Sequence, residues 1–499
     1  MAENVRTFEL AAAAEAEGYR ACLRCRPYRV AGTVADDAPE LVCRAVQLII
    51  GGVLDDADET ALGARLGVSA RHLRRLFNDH LGVTPDQFAR SRRAHFARRL
   101  LDDSELTIAD IAFASGFGSL RQFNRAMREV FRSTPRELRE KRRRTDRLAA
   151  DGGLVLRMPF TPPYDWDAMI AFLARNAVPG VESVVNGVYR RTIALDGDPG
   201  LLEIGPGGVD HLLLKAHLPY WEGVIHVMER AGRLVGLETE PVLAAAQLAG
   251  DPVIGPMIEA RPGVRVPGAW GPFEVAVQAI VAHHASPAGE SSWPVQVGST
   301  PQTGDAGEVQ GRANPGEAGA VQGTGNPGDL AEVRGTANPG DLAEVPGMGS
   351  PGDLAEVRGM GNPGDLVEAR EVLARLVELS GMPVEGLGFG LTHAFPSAET
   401  LAEADLYGVP AELAKTLQAM AREVAVGNLH LDGGEQLDDL IGSLTAIDGV
   451  SEQAAHRIAS RLGARDAFPA TGFSKETSEA WRPWRALAAT HLEAAAPRG

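Results

Sequence analysis

Two short stretches of this chain repeat one pattern, and that pattern fits only a helix with one apolar and one polar face. Residues 69–80 read SARHLRRLFNDH and residues 119–130 read SLRQFNRAMREV. Each opens on a serine, a side chain suited to accepting the first free amides of a helix. Apolar residues then recur three or four positions apart: Leu73, Leu76 and Phe77 in the first, Leu120, Phe123 and Met127 in the second. The opposite face carries Arg71, His72, Arg74 and Arg75 in the first, and Arg121, Gln122, Asn124 and Arg125 in the second. A short apolar helix and a glycine-containing turn precede each one, ALGARLGV and IADIAFASGFG. This is a helix-turn-helix written twice, with a long helix over residues 90–101 between the copies.

The overall charge of −17 looks wrong for a chain that grips nucleic acid until it is mapped. Residues 61–147 hold 20 Lys/Arg against 10 Asp/Glu, a net of +10, which leaves −27 for the rest. A basic segment on an acidic chain is an electrostatic footprint, because phosphate contacts release counterions. A merely solvated face explains it less well, since arginine, glutamine and asparagine occupy the face that a recognition helix presents. No apolar run reaches the length of a membrane span, and no signal-peptide hydrophobic region opens the chain. Three cysteines do not make a disulfide framework, so the reducing cytoplasm is the expected compartment.

At 499 residues several domains are expected. Residues 1–30 stand apart, and residues 40–147 form the arginine-rich helical domain, closed by a basic run at 141–144. From Leu154 short β-prone runs (LVLRMPF, GVYRRTIAL, HLLLKAHL) alternate with helices at 167–176 and 221–231, which predicts an antiparallel α+β domain over 154–262. Residues 263–285 and 367–493 read as one all-α domain. The 286–366 insertion between them is rich in Gly and Pro and repeats every 12 residues, with NPGDLAEV at Asn326 and Asn338 and SPGDLAEV at Ser350. One Leu and one Val per unit cannot build a solenoid core, so a disordered linker is expected. The fold class is therefore mainly α with one α+β domain.

Three resemblances follow from these motifs. GYRACLRCRP, with Cys22 and Cys25, resembles the end of the metal-binding domain of Ada-type proteins, where two zinc cysteines close a site begun by two others upstream. No cysteine precedes Cys22, and Cys43 in LVCRAVQLII reads as a core residue. The pair is read as a vestige that holds no zinc, and no cofactor is expected; a misassigned start codon gives the same appearance. Residues 40–139 resemble the DNA-binding domain of AraC/XylS-type regulators, through LGVSARHLRRLF, ADIAFASGFGSLRQFNRAMREVF and STPRELR. Arg132 departs from that family, which has glycine there. The resemblance implies two recognition helices in successive major grooves, with duplex DNA and RNA polymerase as partners. Arg92, Arg93, Arg98 and Arg99 are expected to serve phosphates or structure.

Residues 154–491 resemble AlkA-type 3-methyladenine DNA glycosylases, through PFTPPYDWDAMIAFLARNAVPGVE, ARPGVRVPGAWGPFEVAVQAIVA and IDGVSEQAAHRIASRLGARDAFPA. The resemblance implies an antiparallel, TBP-like sheet domain followed by a helix-hairpin-helix domain. Such enzymes extrude a damaged base into a pocket, where an aspartate steadies the cationic sugar. Here the hairpin keeps Gly449, but its second glycine is Ser451, anionic Asp448 and Glu452 flank it, and Gln453 takes a pocket tryptophan's place. Gly472 stands where the resemblance places the catalytic aspartate, and Glu493 replaces a later aromatic residue. Asp466 and Glu476 are poor substitutes, Asp466 matching a non-catalytic position. Adjacent His283 and His284 point about 100° apart on a helix and are not read as metal ligands.

Three readings result: a regulator of the alkylation-response type fused to a glycosylase-like module that has lost its aspartate, a working glycosylase for alkylated purines, and a decayed relative with neither role. Charge reversal at Arg74 or Arg121 is expected to abolish specific duplex binding in a gel-shift titration. Unchanged affinity removes the first reading.

Overall fold

The computed structural model describes residues 6–8, 10–22, 39–141, 148, 153–237, 241–285, 363–469, 473 and 475–495. Cys25, the end of the basic run at 142–144, the repeat insertion up to residue 362, and Gly472 with its neighbours Ala470 and Thr471 lie outside the described residues.

The helical domain is punctuated by side chains that close helix ends. Asp58 caps Glu59–Arg65, Ser69 caps Ala70–Leu81 and Ser119 caps Leu120–Phe131, each through its side-chain oxygen. Thr84, Thr107 and Thr134 form reciprocal capping boxes with Gln87, Asp110 and Glu137, opening Pro85–Asp103, Ile108–Ala114 and Pro135–Glu140. The connecting helix Pro85–Asp103 is longer at both ends than the 90–101 span read from sequence. Its Pro85 sits in the first turn, where the missing amide costs nothing. The first recognition helix buries Leu73 and Phe77, the second Phe123, Met127 and Val130. Leu120 departs from the expected apolar face: at the first turn of its helix it is 42% exposed.

The sheet follows, with β1 (Leu154–Pro159), β2 (Glu182–Val185), β3 (Val188–Leu195), β4 (Asp198–Pro206) and β5 (His211–His217). The order is β1-β5-β4-β3-β2, every pair antiparallel. Its buried face is laid down by register, Leu154, Leu156 and Met158 lying opposite Ala216, Leu214 and Leu212. Helices Trp166–Asn176 and Val224–Leu234 contribute Met169, Leu173, Ile225 and Met228 to the same core. The sequence reading found β1, β3 and β5 but missed β2 and β4. In β4 the opening Asp198, Pro199 and Gly200 read as a turn, and β2 has only four residues.

That core does not stop at the sheet. It runs without a break into Ile111, Phe117, Phe123, Met127 and Phe131 of the second helix-turn-helix. The first helix-turn-helix has a separate small core around Val42, Leu62, Leu73 and Phe77. The last domain packs helices Pro272–Ala285, Pro363–Ser380, Ala411–Ala425, Leu437–Thr445 and Glu452–Arg461 around Val277, Leu376, Leu417, Leu444 and Ile458. The helix Pro363–Ser380 starts inside the last repeat unit, four residues before the position read from sequence. Trp481 and Trp484 form a further cluster with Leu248, Ile254 and Ile258. Among the described residues no helix is long and apolar enough to cross a membrane.

One buried charge cluster ties the sheet to the last domain. Arg191 on β3 holds Glu274 at 2.8 Å and Glu182 at 3.3 Å, and lies 4.9 Å from the ring centre of Trp270. Tyr189 also donates to Glu182. A buried arginine between two carboxylates survives because each charge is paired; removing one partner leaves another stranded.

The second recognition helix ends on Arg132, whose φ of 54° is left-handed, whereas the first ends on Gly82 at φ 68°. A side chain in that region costs about 1 kcal/mol relative to glycine. Arg132→Gly is expected to stabilise the chain by about that amount in denaturant unfolding; a loss of stability contradicts the assignment of strain.

Candidate nucleic-acid interface and base cleft

The caps that start the recognition helices also set what those helices present. Ser69 Oγ accepts from His72 N and Ser119 Oγ from Gln122 N, both at 3.2 Å, so the polar faces begin at the first turn. Arg71, Arg74, Arg75, Arg121, Gln122 and Arg125 are exposed; His72 and Asn124 are half-buried. They are not equivalent. Arg74 pairs with Glu59, a carboxylate only 8% exposed that also accepts from Asp86 N at 3.2 Å. Arg75 contacts His72 Nδ1 at 3.1 Å. Arg125 is held by Glu129 at 2.8 Å, and Asn124 donates to Leu120 O at 2.8 Å. Among the described residues Arg71 and Arg121 carry no ion pair, and they are the freest cations on the two faces. Arg74 and Arg121 therefore stand in different surroundings. Reversing Arg74 also strands a buried carboxylate, so Arg121 is the cleaner probe.

The four arginines of the connecting helix serve structure. Arg98 pairs with Asp102 at 2.6 Å, both buried. Arg92 reaches Glu229 at 2.5 Å, Arg93 holds Asp55 and donates to Leu54 O at 2.8 Å, and Arg99 donates to Arg157 O. Asp55 also meets His226 at 2.5 Å. Burial opposes ionisation of this carboxyl, yet the hydrogen bond from His226 and the nearby Arg93 guanidinium hold it below the usual range.

In the last domain the hairpin joins Leu437–Thr445 to Glu452–Arg461. Gly449 has φ 87°, and a Cβ there would lie 2.1 Å from Thr416 Oγ1. That hydroxyl donates to Asp448 O at 2.9 Å, so only glycine fits this turn. Ser451 has an ordinary extended backbone, and its Oγ accepts from Ala454 N at 3.1 Å. One amide that could meet a phosphate is thus already used. Asp448 and Glu452 are exposed beside it.

A cleft of about 600 Å³, including space open to solvent, lies between this domain and the sheet domain. Phe172, Arg457, Arg461, Pro469, Thr490 and Glu493 are among its lining residues. Arg461 is fixed: it donates to Gly268 O from Nε at 2.9 Å and from Nη2 at 2.7 Å, and its guanidinium lies 5.1 Å from the Phe172 ring centre. Arg457, one turn earlier, donates to no described residue. Burial pushes its guanidinium down, and Glu493 is the one charge that pulls the other way. Burial likewise lowers His283, with Arg457 and His284 adding to the effect. Gln453 does not line the cleft; its amide donates to Pro469 O at 3.4 Å.

Of the carboxylates considered from sequence, Asp466 is engaged elsewhere, by Arg485 at 2.8 and 3.1 Å and Arg482 at 2.9 Å. Glu476 is exposed and does not line the cleft. Glu493 does, which the sequence reading noted only as a lost aromatic. Arg457 and Arg461 went unread, although their i, i+4 spacing places them on one helix face. Cys22 is exposed.

Three family patterns match the chain: "Metal binding domain of Ada" over residues 1–28, "Helix-turn-helix domain" over 62–141 and "AlkA N-terminal domain" over 155–271. A Mycobacterium tuberculosis protein named "Probable bifunctional transcriptional activator/DNA repair enzyme AlkA" is 30% identical over 514 residues, covering 98% of this chain and 88% of that one. The Escherichia coli "DNA-3-methyladenine glycosylase 2" is 34% identical over 129 residues, 25% of this chain and 43% of its own. The Rhizobium meliloti "HTH-type transcriptional regulator GlxA" is 44% identical over 84 residues, 17% of this chain and 26% of its own.

The helix that carries Glu493, Arg485–Ala495, also buries His491, where desolvation and nearby Arg261 push the imidazole down to about 4. The unfolded imidazole takes up its proton near 6.5. Between these values the unfolded chain binds more protons, so acid favours unfolding. Stability is expected to fall by about 2 kcal/mol from pH 7 to pH 5 through this group. Melting curves of the parent and of His491→Leu check it: the variant's pH slope is shallower, and identical slopes overturn the assignment.

Proposed function

We propose, for a chain that belongs to the family of AlkA-type bifunctional transcriptional activator/DNA repair enzymes, a regulator that grips duplex DNA with its paired recognition helices and carries a lesion-binding module weak in chemistry. The observation that carries the reading is the contrast between the two sites. Arg71 and Arg121 stand exposed and without ion pairs on matched helices, while the catalytic position implied by the family resemblance is Gly472. Arginine donates to the acceptor edges of guanine in the major groove, and Gln122 and Asn124 suit adenine. Upstream contacts with RNA polymerase and a cytoplasmic place of work belong to the same proposal, as does an N-terminal segment that holds no zinc.

In N-glycosidic cleavage the bond from C1′ to the base nitrogen breaks, the base leaves with that electron pair, and water adds to the sugar. Positive charge builds on the sugar before water arrives, and a fixed carboxylate stabilises it. Glycine cannot. A group of this kind is worth about a hundred- to a thousandfold in rate, so slow excision is expected from the native chain.

A second reading is favoured by one observation: Glu493 lines the cleft and has no ion pair among the described residues. In it the chain is a working glycosylase for alkylated purines that draws on this carboxylate. The assay uses duplex containing alkylated purines, followed by hot alkali to cut at abasic sites, with gel shifts on selected genomic fragments alongside. Specific shifts with strand breaks near the buffer level, and at least a hundredfold more breaks from Gly472→Asp, support the first reading. Rapid breaks from the native chain that vanish in Glu493→Gln support the second. Absence of both signals removes both.

A further inference from the structure

Of the exposed residues on the second recognition helix, Leu120–Phe131, Leu120 alone is apolar. Helical side chains lean toward the N-terminus and cover the preceding turn. Leu120 is the first helical residue and has no earlier turn to cover. It therefore reaches past the core that Phe123 and Met127 enter and stands 42% exposed. A lone exposed leucine is ordinary on a protein surface; this one differs in its place. It lies at the end from which recognition helices reach base edges, next to Arg121, the exposed cation without an ion pair among the described residues. One turn on, the side chains are committed within the helix: Asn124 turns its amide nitrogen back to Leu120 O at 2.8 Å, and Arg125 is held by Glu129 at 2.8 Å. The first recognition helix, Ala70–Leu81, carries the half-buried Ala70 at the position that Leu120 holds in the second.

We propose that Leu120 is a specificity-determining residue that packs against the C5 methyl of a thymine in the major groove, while Arg121 donates to a guanine in the adjacent base pair. Thymine is the one base that presents an apolar group on its major-groove edge, and guanine offers arginine two acceptors there. Consecutive helical residues point about 100° apart with a rise of about 1.5 Å, which suits two side chains to neighbouring base pairs. The half-site of the second helix thus holds a T·A pair beside a G·C pair. The half-site of the first helix has no such thymine, because the short side chain of Ala70 does not reach the groove floor. The inference rests on the reading that the recognition helices grip duplex DNA, and it names the bases that one of them reads.

The test begins with the duplex that the full chain selects from a random-sequence pool. Each thymine of that duplex is then replaced, one at a time, by deoxyuridine, which pairs identically and lacks only the methyl. Equilibrium binding is read by fluorescence anisotropy. One replacement, in one half-site, is expected to weaken binding by the native chain about fourfold, the worth of one buried methyl. Leu120→Ala is expected to bind the thymine and uracil duplexes alike. Replacing the guanine beside that thymine by 7-deazaguanine, which lacks the N7 acceptor, is expected to weaken the native chain about fivefold or more and to leave Arg121→Gln unaffected. A duplex of shuffled sequence is the control, and neither variant is expected to lose more than about twofold on it. The proposal fails if no uracil replacement matters, if Leu120→Ala still feels the replacement, or if the sensitive thymine has no guanine beside it. It fails also if Leu120→Ala weakens the shuffled duplex as much as the selected one, since the leucine then serves packing alone. A pool that yields no preferred sequence overturns the regulator reading itself, a result distinct from an insensitive methyl.

Discussion

A single hydrophobic core passes from the second helix-turn-helix into the antiparallel sheet, and the rest of the arrangement depends on it. Phe117, Phe123 and Met127 share this core with Leu156, Met158, Ile225 and Met228. Separating the two modules would expose that surface to water at about 25 cal/mol per Å², so the regulator half and the repair half are one body here rather than beads on a string. The polar contacts around the seam agree. Arg92 meets Glu229, His226 meets Asp55, and Gly223 N donates to Phe113 O at 3.3 Å. Two further links join the first helix-turn-helix to the last domain, Arg44 to Gly434 O at 2.8 Å and Arg65 to Asp432 at 2.8 Å.

Charge inside the molecule follows a consistent rule. Where arginine is buried it is paired, as Arg191 is with Glu182 and Glu274 and Arg98 is with Asp102. These pairs fix geometry more than they add stability, because desolvation offsets most of the Coulombic gain. Arg457 is a different case, a half-exposed arginine that lines the cleft and has no ion pair among the described residues. The acidic excess of the chain lies outside the helix-turn-helix segment. Net charge was therefore a poor guide to its partners, while the mapped +10 over residues 61–147 was a good one.

The paired recognition helices were legible because amphipathic periodicity and serine caps are local signals. Ser69 and Ser119 cap where the sequence said they would, and the cores follow Leu73, Phe77, Phe123 and Met127. The sheet was half legible. β4 was hidden because Pro199 and Gly200 imitate a turn, and only its neighbours explain them: Pro199 lies opposite Ala194, and a Cβ on Gly200 would sit 3.2 Å from His217 O. The rank order of the arginines was not legible at all. Arg71, Arg74 and Arg121 look alike in sequence, and only Glu59, brought against Arg74 from the preceding helix, separates them.

What the chain's sequence determined alone was the kind of elements it forms, their caps and the families it resembles, since each depends on residues a few positions apart. Tertiary structure decided which charges are spent and which are free. Glu59 consumes Arg74, Gly268 consumes Arg461, and Arg485 with Arg482 consumes Asp466, whereas Arg457 and Glu493 are left facing the cleft. Coulomb and hydrogen-bond energies depend on distance through space and on burial. Neither is a property of a residue's place along the chain.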